Sequence, residues 1–253
     1  MTRSSQAQFD AHAEKYAASA VHRFGPSLPV LLKVADLKPD DLVLDVATGT
    51  GNTALVVAPH VAHATGIDVS PKMLDQARLR AAQEGVTNVS FQAGSAEQLP
   101  FADGSFTLVT SRHAPHHFRD VPAFLQEVHR VLRPGGRFVL ADQITPRAEL
   151  QDWVDFWQRT RDPSHARQRT VDEWRALTAA AGFRPAGEQI VPYRLEFGWW
   201  TQQSGCSADV VEALQAHARN ADAAVREAMQ LEFDAQGQIQ AHHDPMLVAR
   251  WDR

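Results

Sequence analysis

Residues Leu42-Val43-Leu44-Asp45-Val46 form an apolar run with an acid near its end, and Ala47-Thr48-Gly49-Thr50-Gly51-Asn52-Thr53-Ala54 follow it with a Gly-x-Gly turn. This order predicts a strand, a tight loop and the start of a helix, an arrangement in which backbone N–H groups closely approach a nucleotide-like ligand. The position of the acid separates two kinds of ligand. A dinucleotide site admits a pyrophosphate over its glycines, and an anion gains nothing from a carboxylate ahead of them. Asp45 suits a ligand with an ammonium group, because carboxylate and cation form a charge-assisted hydrogen bond.

A second acid sharpens the reading. His63-Ala64-Thr65-Gly66-Ile67-Asp68-Val69 has the pattern of a second strand ending in Asp68. About 20 residues beyond the glycines is where a carboxylate accepts both ribose hydroxyls in doubly wound folds. Ammonium and ribose together point to S-adenosylmethionine. The plainer alternative is an ordinary turn before a helix, with Asp68 as N-cap of the helix opening near Pro71. A nicotinamide-dependent oxidoreductase fits less well, since no Gly-x-Gly-x-x-Gly sits directly at the strand end.

The chain has 253 residues, 44% hydrophobic and 22% charged, enough to bury one sizeable core, and a single domain over 1–253 is expected. Twenty-five basic residues against thirty acidic ones give a net charge of -5, which argues against a nucleic-acid substrate. No apolar stretch is long enough to span a bilayer, and Met1 to Gln6 lacks the apolar core of a signal peptide, so a cytoplasmic location is expected. A lone Cys206 excludes an internal disulfide and argues against thiolate-based metal chemistry. Oligomeric state leaves no mark in the sequence.

From Phe9 to about Lys33 the pattern is helical and amphipathic, interrupted at Gly25-Pro26. Residues 9–33 have two readings: a lid that folds over the ligand, and a helix packed on the sheet edge. Downstream, strands are predicted at Val89–Ala93, Phe106–Thr110 and Arg137–Ala141, with helices over Pro71–Gln83 and about Pro122–Leu132. This alternation predicts an α/β, doubly wound, mainly parallel sheet carrying its ligand at the carboxyl ends of the strands. The cofactor-binding core is read as 34–145. Residues 146–253 are read as the substrate side, a helical insertion near the C-terminus followed by closing strands. They comprise helical stretches around Trp153–Trp157 and Val171–Trp174, a strand toward Val191, an aromatic cluster, a long helix over Ala208–Leu231, and a closing strand over Met246–Trp251.

Four ordered motifs carry a family resemblance: Val43 to Gly51, Gly66 to Leu74, Leu99-Pro100-Phe101-Ala102-Asp103-Gly104-Ser105-Phe106, and Arg130-Val131-Leu132-Arg133-Pro134-Gly135-Gly136. Over roughly residues 40 to 145 the chain resembles the class I S-adenosylmethionine-dependent methyltransferases, on the branch related to the ubiquinone/menaquinone-biosynthesis enzymes. Asp162-Pro163-Ser164-His165 is similar to a segment of bacterial members of that branch. The resemblance implies a seven-stranded sheet with its last strand antiparallel. It implies that Asp45 and the backbone around Ala47, Thr48, Gly49 and Gly51 hold the methionine end of the cofactor, and that Asp68 takes the ribose. Val69 and Met73 would flank the adenine, Ser95 and Ala96 would meet its edge, and Arg112-His113 would line the methionine side. Quinone enzymes of the family usually carry a Glu where this chain has Asp142-Gln143, which counts against a quinone substrate.

His113, His116 and His117 fall in the loop after the fourth strand, and Asp142 follows the fifth, all at the ligand-bearing edge. A histidine with an ordinary pKa of about 6.5 suits proton removal near neutrality. In similar sugar O-methyltransferases a histidine pair and an aspartate occupy these places, so His116, His117 and Asp142 are the catalytic candidates, with a structural loop role as the alternative. Zinc would require a helical loop and a fourth ligand, and Pro115 weighs against it, so no metal is expected. Tyr193, Phe197, Trp199 and Trp200 have two readings, core packing and an apolar acceptor pocket. His242-His243 are expected on a solvated turn. The expected function is methyl transfer to a small-molecule acceptor, oxygen ahead of carbon or nitrogen; the alternative is a cofactor-binding module without turnover.

Overall fold

The computed structural model describes Asp10 and residues 23–253. Helix α1 (Ser27–Ala35) precedes β1 (Leu42–Val46), α2 (Asn52–Val57), β2 (His63–Asp68), α3 (Pro71–Gln83), β3 (Val89–Ala93) and β4 (Phe106–Arg112). Then come α4 (Val121–Val131), β5 (Leu132–Gln143), α5 (Gln151–Arg161), α6 (Val171–Ala180) and β6 (Arg184–Val191). The rest of the chain forms β7 (Arg194–Glu196), α7 (Phe197–Gln203), α8 (Ala208–Arg219), α9 (Ala223–Ala228), β8 (Glu232–Phe233), β9 (Ile239–His243) and β10 (Met246–Asp252).

Seven strands form one sheet in the order β3-β2-β1-β4-β5-β10-β6. The first five strands are parallel, and β10 runs antiparallel to both β5 and β6. This is the expected seven-stranded, mainly parallel, doubly wound sheet. Because helices cover both faces, the central strands read as nearly continuous apolar runs. Val43, Leu108, Val139 and Val248 bury one face with Leu31 and Ala35 of α1, whereas Leu44, Val109, Leu140 and Leu247 bury the other with Phe124, Leu125 and Val128 of α4. The alternation follows from the period of two in a strand.

Local chemistry sets the helix ends. Ser70 Oγ accepts from Met73 N (3.2 Å) at the start of α3, with Pro71 next to it, and Asp120 Oδ1 accepts from Ala123 N (2.9 Å) at the start of α4. Strand β5 starts earlier than Arg137, because Gly135 N donates to Arg253 O and Arg253 N donates to Gly136 O, drawing the Pro-Gly-Gly turn into the ladder. The long helix expected over Ala208–Leu231 is two helices. Asp222 Oδ1 accepts from Val225 N (2.8 Å) and starts a new helix where the old one would continue.

Strands β7, β9 and β8 form a small second sheet that the sequence did not predict, since strands this short carry no usable periodicity. His242 lies on β9 and is fully buried, not on a solvated turn; its ring stands edge-on to Trp200 and Trp157 at 4.6 and 5.2 Å. Of the segment 9–33, Leu28 and Leu31 are buried, so α1 packs on the sheet. Residues 9 and 11–22, the rest of the lid reading, lie outside the described residues. Among the described residues no helix is long and apolar enough to cross a membrane.

Gly66 shows how tightly β2 is held. A Cβ there would meet Phe91 Cδ1 and Thr48 Cγ2, each at 2.7 Å. Gly66→Ala is therefore expected to destabilise the fold by about 1–3 kcal/mol through overpacking. Chemical denaturation should show a lower midpoint with an unchanged slope; an unaltered midpoint would contradict the packing argument.

Candidate active site

The strand order reverses where β1 neighbours both β2 and β4, and in doubly wound sheets ligands occupy the crevice at such a switch point. A cleft continuous with solvent opens there. Its walls include Asp45, Ala47, Thr48, Gly49, Asp68 and Met73 on one side. His116, His117, Arg161, Tyr193, Trp199 and Trp200 come from the loops and helices beyond β4 and β5.

Asp45 is 2% exposed and lies in register with Thr110 of β4. Thr110 Oγ1 donates to its Oδ1 (2.7 Å) and Thr48 Oγ1 to its Oδ2 (2.6 Å). Burial pushes its carboxyl up to about 6, against the two hydroxyls and the Arg112 guanidinium. Neither hydrogen-bond donor is a cation, so the acid retains capacity for one. Asp68 is gripped by backbone, with Oδ2 accepting from Gly49 N (2.8 Å) and Oδ1 from Ser70 N (2.9 Å). Burial raises its pKa, and those two N–H groups oppose the rise.

The loop between the acids is conformationally special. Gly49 has φ +55°, and a Cβ on it would meet nothing within 4 Å, leaving open space over the turn. Ala47 and His113, both on the cleft wall, hold φ of 56° and 54°, a region unfavourable for residues with a Cβ. Such strain tends to collect at functional sites. Two acids flanking an open glycine bend fit S-adenosylmethionine: one carboxylate for the ammonium, one for the ribose hydroxyls, and room for the nucleoside between.

The other wall brings together residues far apart in sequence. His116 Nδ1 and Asp142 Oδ1 are 2.7 Å apart, with side chains 8% and 1% exposed. His117 Nδ1 lies 3.2 Å from Ser164 O and 3.3 Å from Ser164 Oγ. Burial and neighbouring His116 push His117 down to about 3, so it is neutral and weakly basic near pH 7. The expected histidine pair thus divides: His116 is paired with the carboxylate, and His117 is tied to the loop after α5. That loop is further fixed by Ala166 N and Arg167 N donating to His116 O (2.9 and 3.0 Å). It delivers His165, which stacks on His116 with centroids 5.0 Å apart and is held well below its ordinary pKa chiefly by burial.

Other candidates are placed as follows. Arg112 is buried, its Nε near Thr53 Oγ1 (3.3 Å) and its Nη1 near Ser27 Oγ (3.4 Å), and it lines the cleft beside His113. Tyr193, Trp199 and Trp200 line the cleft, whereas Phe197 packs in the core behind it. Gly51, Val69, Ser95 and Ala96 lie off this wall; Gly51 has φ +79° and abuts Phe91, and Val69 is 40% exposed next to Asp68. Sequence reasoning missed Gln143, Arg161, Asp162 and Leu195 as cleft residues. Among the described residues no group of three or more His, Cys, Asp or Glu is arranged to hold a metal ion.

Asp45 makes ligand affinity pH-dependent. Its carboxyl is raised from 3.8 to about 6, so below that pH the ligand-free protein keeps a proton there that an ammonium ligand would have to expel. Affinity for S-adenosylhomocysteine is therefore expected to rise with pH and level off above about 7, falling about tenfold from pH 7 to pH 5. Calorimetric titrations across that range check this, and a flat profile would contradict it.

Residues 44–140 match the methyltransferase domain family. The uncharacterized methyltransferase YcgJ of Bacillus subtilis is 35% identical over 91% of this chain and 91% of its own. Its crystal structure superimposes with a TM-score of 0.85, covering 90% of this chain and 97% of that one at 33% identity. The Bacillus halodurans C-125 protein BH2331 superimposes with a TM-score of 0.86 at 27% identity, over 89% of this chain and 97% of that one. The ubiquinone/menaquinone biosynthesis C-methyltransferase UbiE of Geotalea daltonii is 39% identical over 44% of this chain and 49% of its own. The chain belongs to the class I S-adenosylmethionine-dependent methyltransferases, on the branch related to the UbiE enzymes.

Proposed function

We propose that this methyltransferase acts on a hydroxyl oxygen of a small-molecule acceptor, with His116 as general base oriented by Asp142. The observation that carries the reading is the 2.7 Å contact between the buried Asp142 Oδ1 and Nδ1 of His116, which lines the cleft that also holds Asp45 and Asp68. S-adenosylmethionine, when bound, supplies an electrophilic methyl group on a sulfonium. Asp45 binds its ammonium and Asp68 its ribose, with the backbone at Ala47, Thr48, Gly49 and Gly51 closing around the methionine end. Val69 and Met73 flank the adenine, Ser95 and Ala96 meet its edge, and Arg112 and His113 line the methionine side. The core over 34–145 thus serves the cofactor, and 146–253 serves the acceptor.

A displacement at a methyl group depends first on alignment, which supplies about 7–11 kcal/mol in favourable intramolecular cases. Proton removal decides which acceptors react. Asp142 accepts the Nδ1 proton of His116 and so leaves Nε2 as the proton acceptor. An alcohol requires such a base, whereas a pre-ionised phenol or carbanion does not. A structural loop role is the competing account of the pair.

The test is incubation with methyl-labelled S-adenosylmethionine and a panel of alcohols, sugars, phenols and quinone precursors. Label is expected on hydroxyl oxygen. Label appearing only on carbon or nitrogen would overturn the oxygen assignment, and cofactor binding without turnover across the panel would favour a silent binding module.

A further inference from the structure

Arg161 closes α5 and lines the cleft, where sequence patterning gave it no role. Its Nε donates to the Trp200 carbonyl oxygen (3.2 Å), and its guanidinium carbon lies 4.8 Å from the Trp200 ring centroid. Trp200 is in turn stacked on Trp157 at 4.8 Å and 18°, so the guanidinium rests on a buried, rigid platform. Among the described residues no carboxylate forms an ion pair with Arg161. The adjacent Asp162 and the buried Asp244 feel the Arg161 charge without forming an ion pair with it, Asp162 Oδ1 instead accepting from Ser164 N (2.9 Å) and Ser164 Oγ (2.7 Å), and Asp142 is committed to His116.

With Nε occupied, the terminal nitrogens remain as a side-by-side pair, the geometry that matches one carboxylate in a bidentate fork. An uncharged acceptor would cover this guanidinium without pairing its charge, which costs desolvation free energy. Tyr193, Leu195 and Trp199 line the same cleft and add apolar surface to it.

We infer that the acceptor is a small hydroxy acid with an apolar body, its carboxylate held by Arg161 and its hydroxyl directed to His116. This rests on the methyltransferase reading above and adds the substrate class. It assigns Arg161 as the specificity-determining residue.

The experiment titrates benzoate, benzamide and phenyl phosphate into full-length protein saturated with S-adenosylhomocysteine, in the wild type, Arg161→Gln and Arg161→Lys. Benzoate is expected to bind at least about tenfold tighter than its uncharged isostere, the range for a charge-assisted hydrogen bond. Arg161→Gln should erase that preference, Arg161→Lys should keep part of it, and both should retain wild-type affinity for S-adenosylhomocysteine, which reports an intact fold. Absent benzoate binding, equal affinity for benzamide, or a preference that survives in Arg161→Gln would overturn the inference. Tighter binding of phenyl phosphate than benzoate would overturn the carboxylate assignment, and loss of S-adenosylhomocysteine affinity in both variants would place Arg161 in the cofactor site instead. Failure of the wild type to bind S-adenosylhomocysteine at all would instead remove the underlying function, so the two failures are distinguishable.

Discussion

Asp45→Asn is expected to weaken binding of S-adenosylhomocysteine by roughly 10–100-fold, the loss of one hydrogen bond to a charged group in a buried setting. The substitution preserves shape, and the hydroxyls of Thr48 and Thr110 can rotate to meet the amide, so the fold should survive. Its pH profile should also flatten, because the group that titrates near pH 6 is gone. Asp68→Asn should cost less, since the ribose hydroxyls it serves carry no charge and the amide oxygen still accepts. Calorimetry on wild type and both variants checks the order. Equal affinity for wild type and Asp45→Asn would remove Asp45 from the ammonium site.

His116→Ala is expected to lower kcat toward a hydroxyl acceptor by about 10²–10⁴-fold, the usual contribution of a positioned base, while leaving cofactor affinity unchanged. Asp142→Asn should lower kcat by a comparable factor. An amide can donate to Nδ1 and so move the imidazole proton to Nε2, which leaves no lone pair facing the acceptor. His117→Ala separates base from scaffold. With its pKa near 3, His117 is neutral and too weak a base to take up a proton near neutrality, and its loss should act through the Ser164 loop. Stopped-time assays at saturating acceptor measure all three. A His116→Ala enzyme with kcat within about threefold of wild type would make the pair with Asp142 a structural one.

The parts of this molecule that were legible in the sequence are those governed by neighbours along the chain. Asp45, the glycine bend and Asp68 fall within two strands and one turn, so strand polarity alone carried them to one sheet edge. Capping at Ser70 and Asp120 was legible for the same reason. The meeting of His116 with Asp142 depended on β4 and β5 being adjacent and parallel, which the alternation of strands and helices already implied. The opposite wall was not legible. Arg161 and Asp162 line the cleft, and His165 stacks on His116, where the loop after α5 hydrogen-bonds back to His116, a tertiary pairing with no local signature. The burial of His242 was hidden for a related cause: β9 is short and polar in pattern, and only its packing against Trp157 and Trp200 takes it out of solvent.

Equilibrium dialysis of the full-length protein against methyl-labelled S-adenosylmethionine at pH 7.5 tests the pairing of the two acids most directly. One labelled molecule retained per chain, displaced by S-adenosylhomocysteine and lost in Asp45→Asn, is the predicted result. No retained label on folded wild-type protein would contradict it.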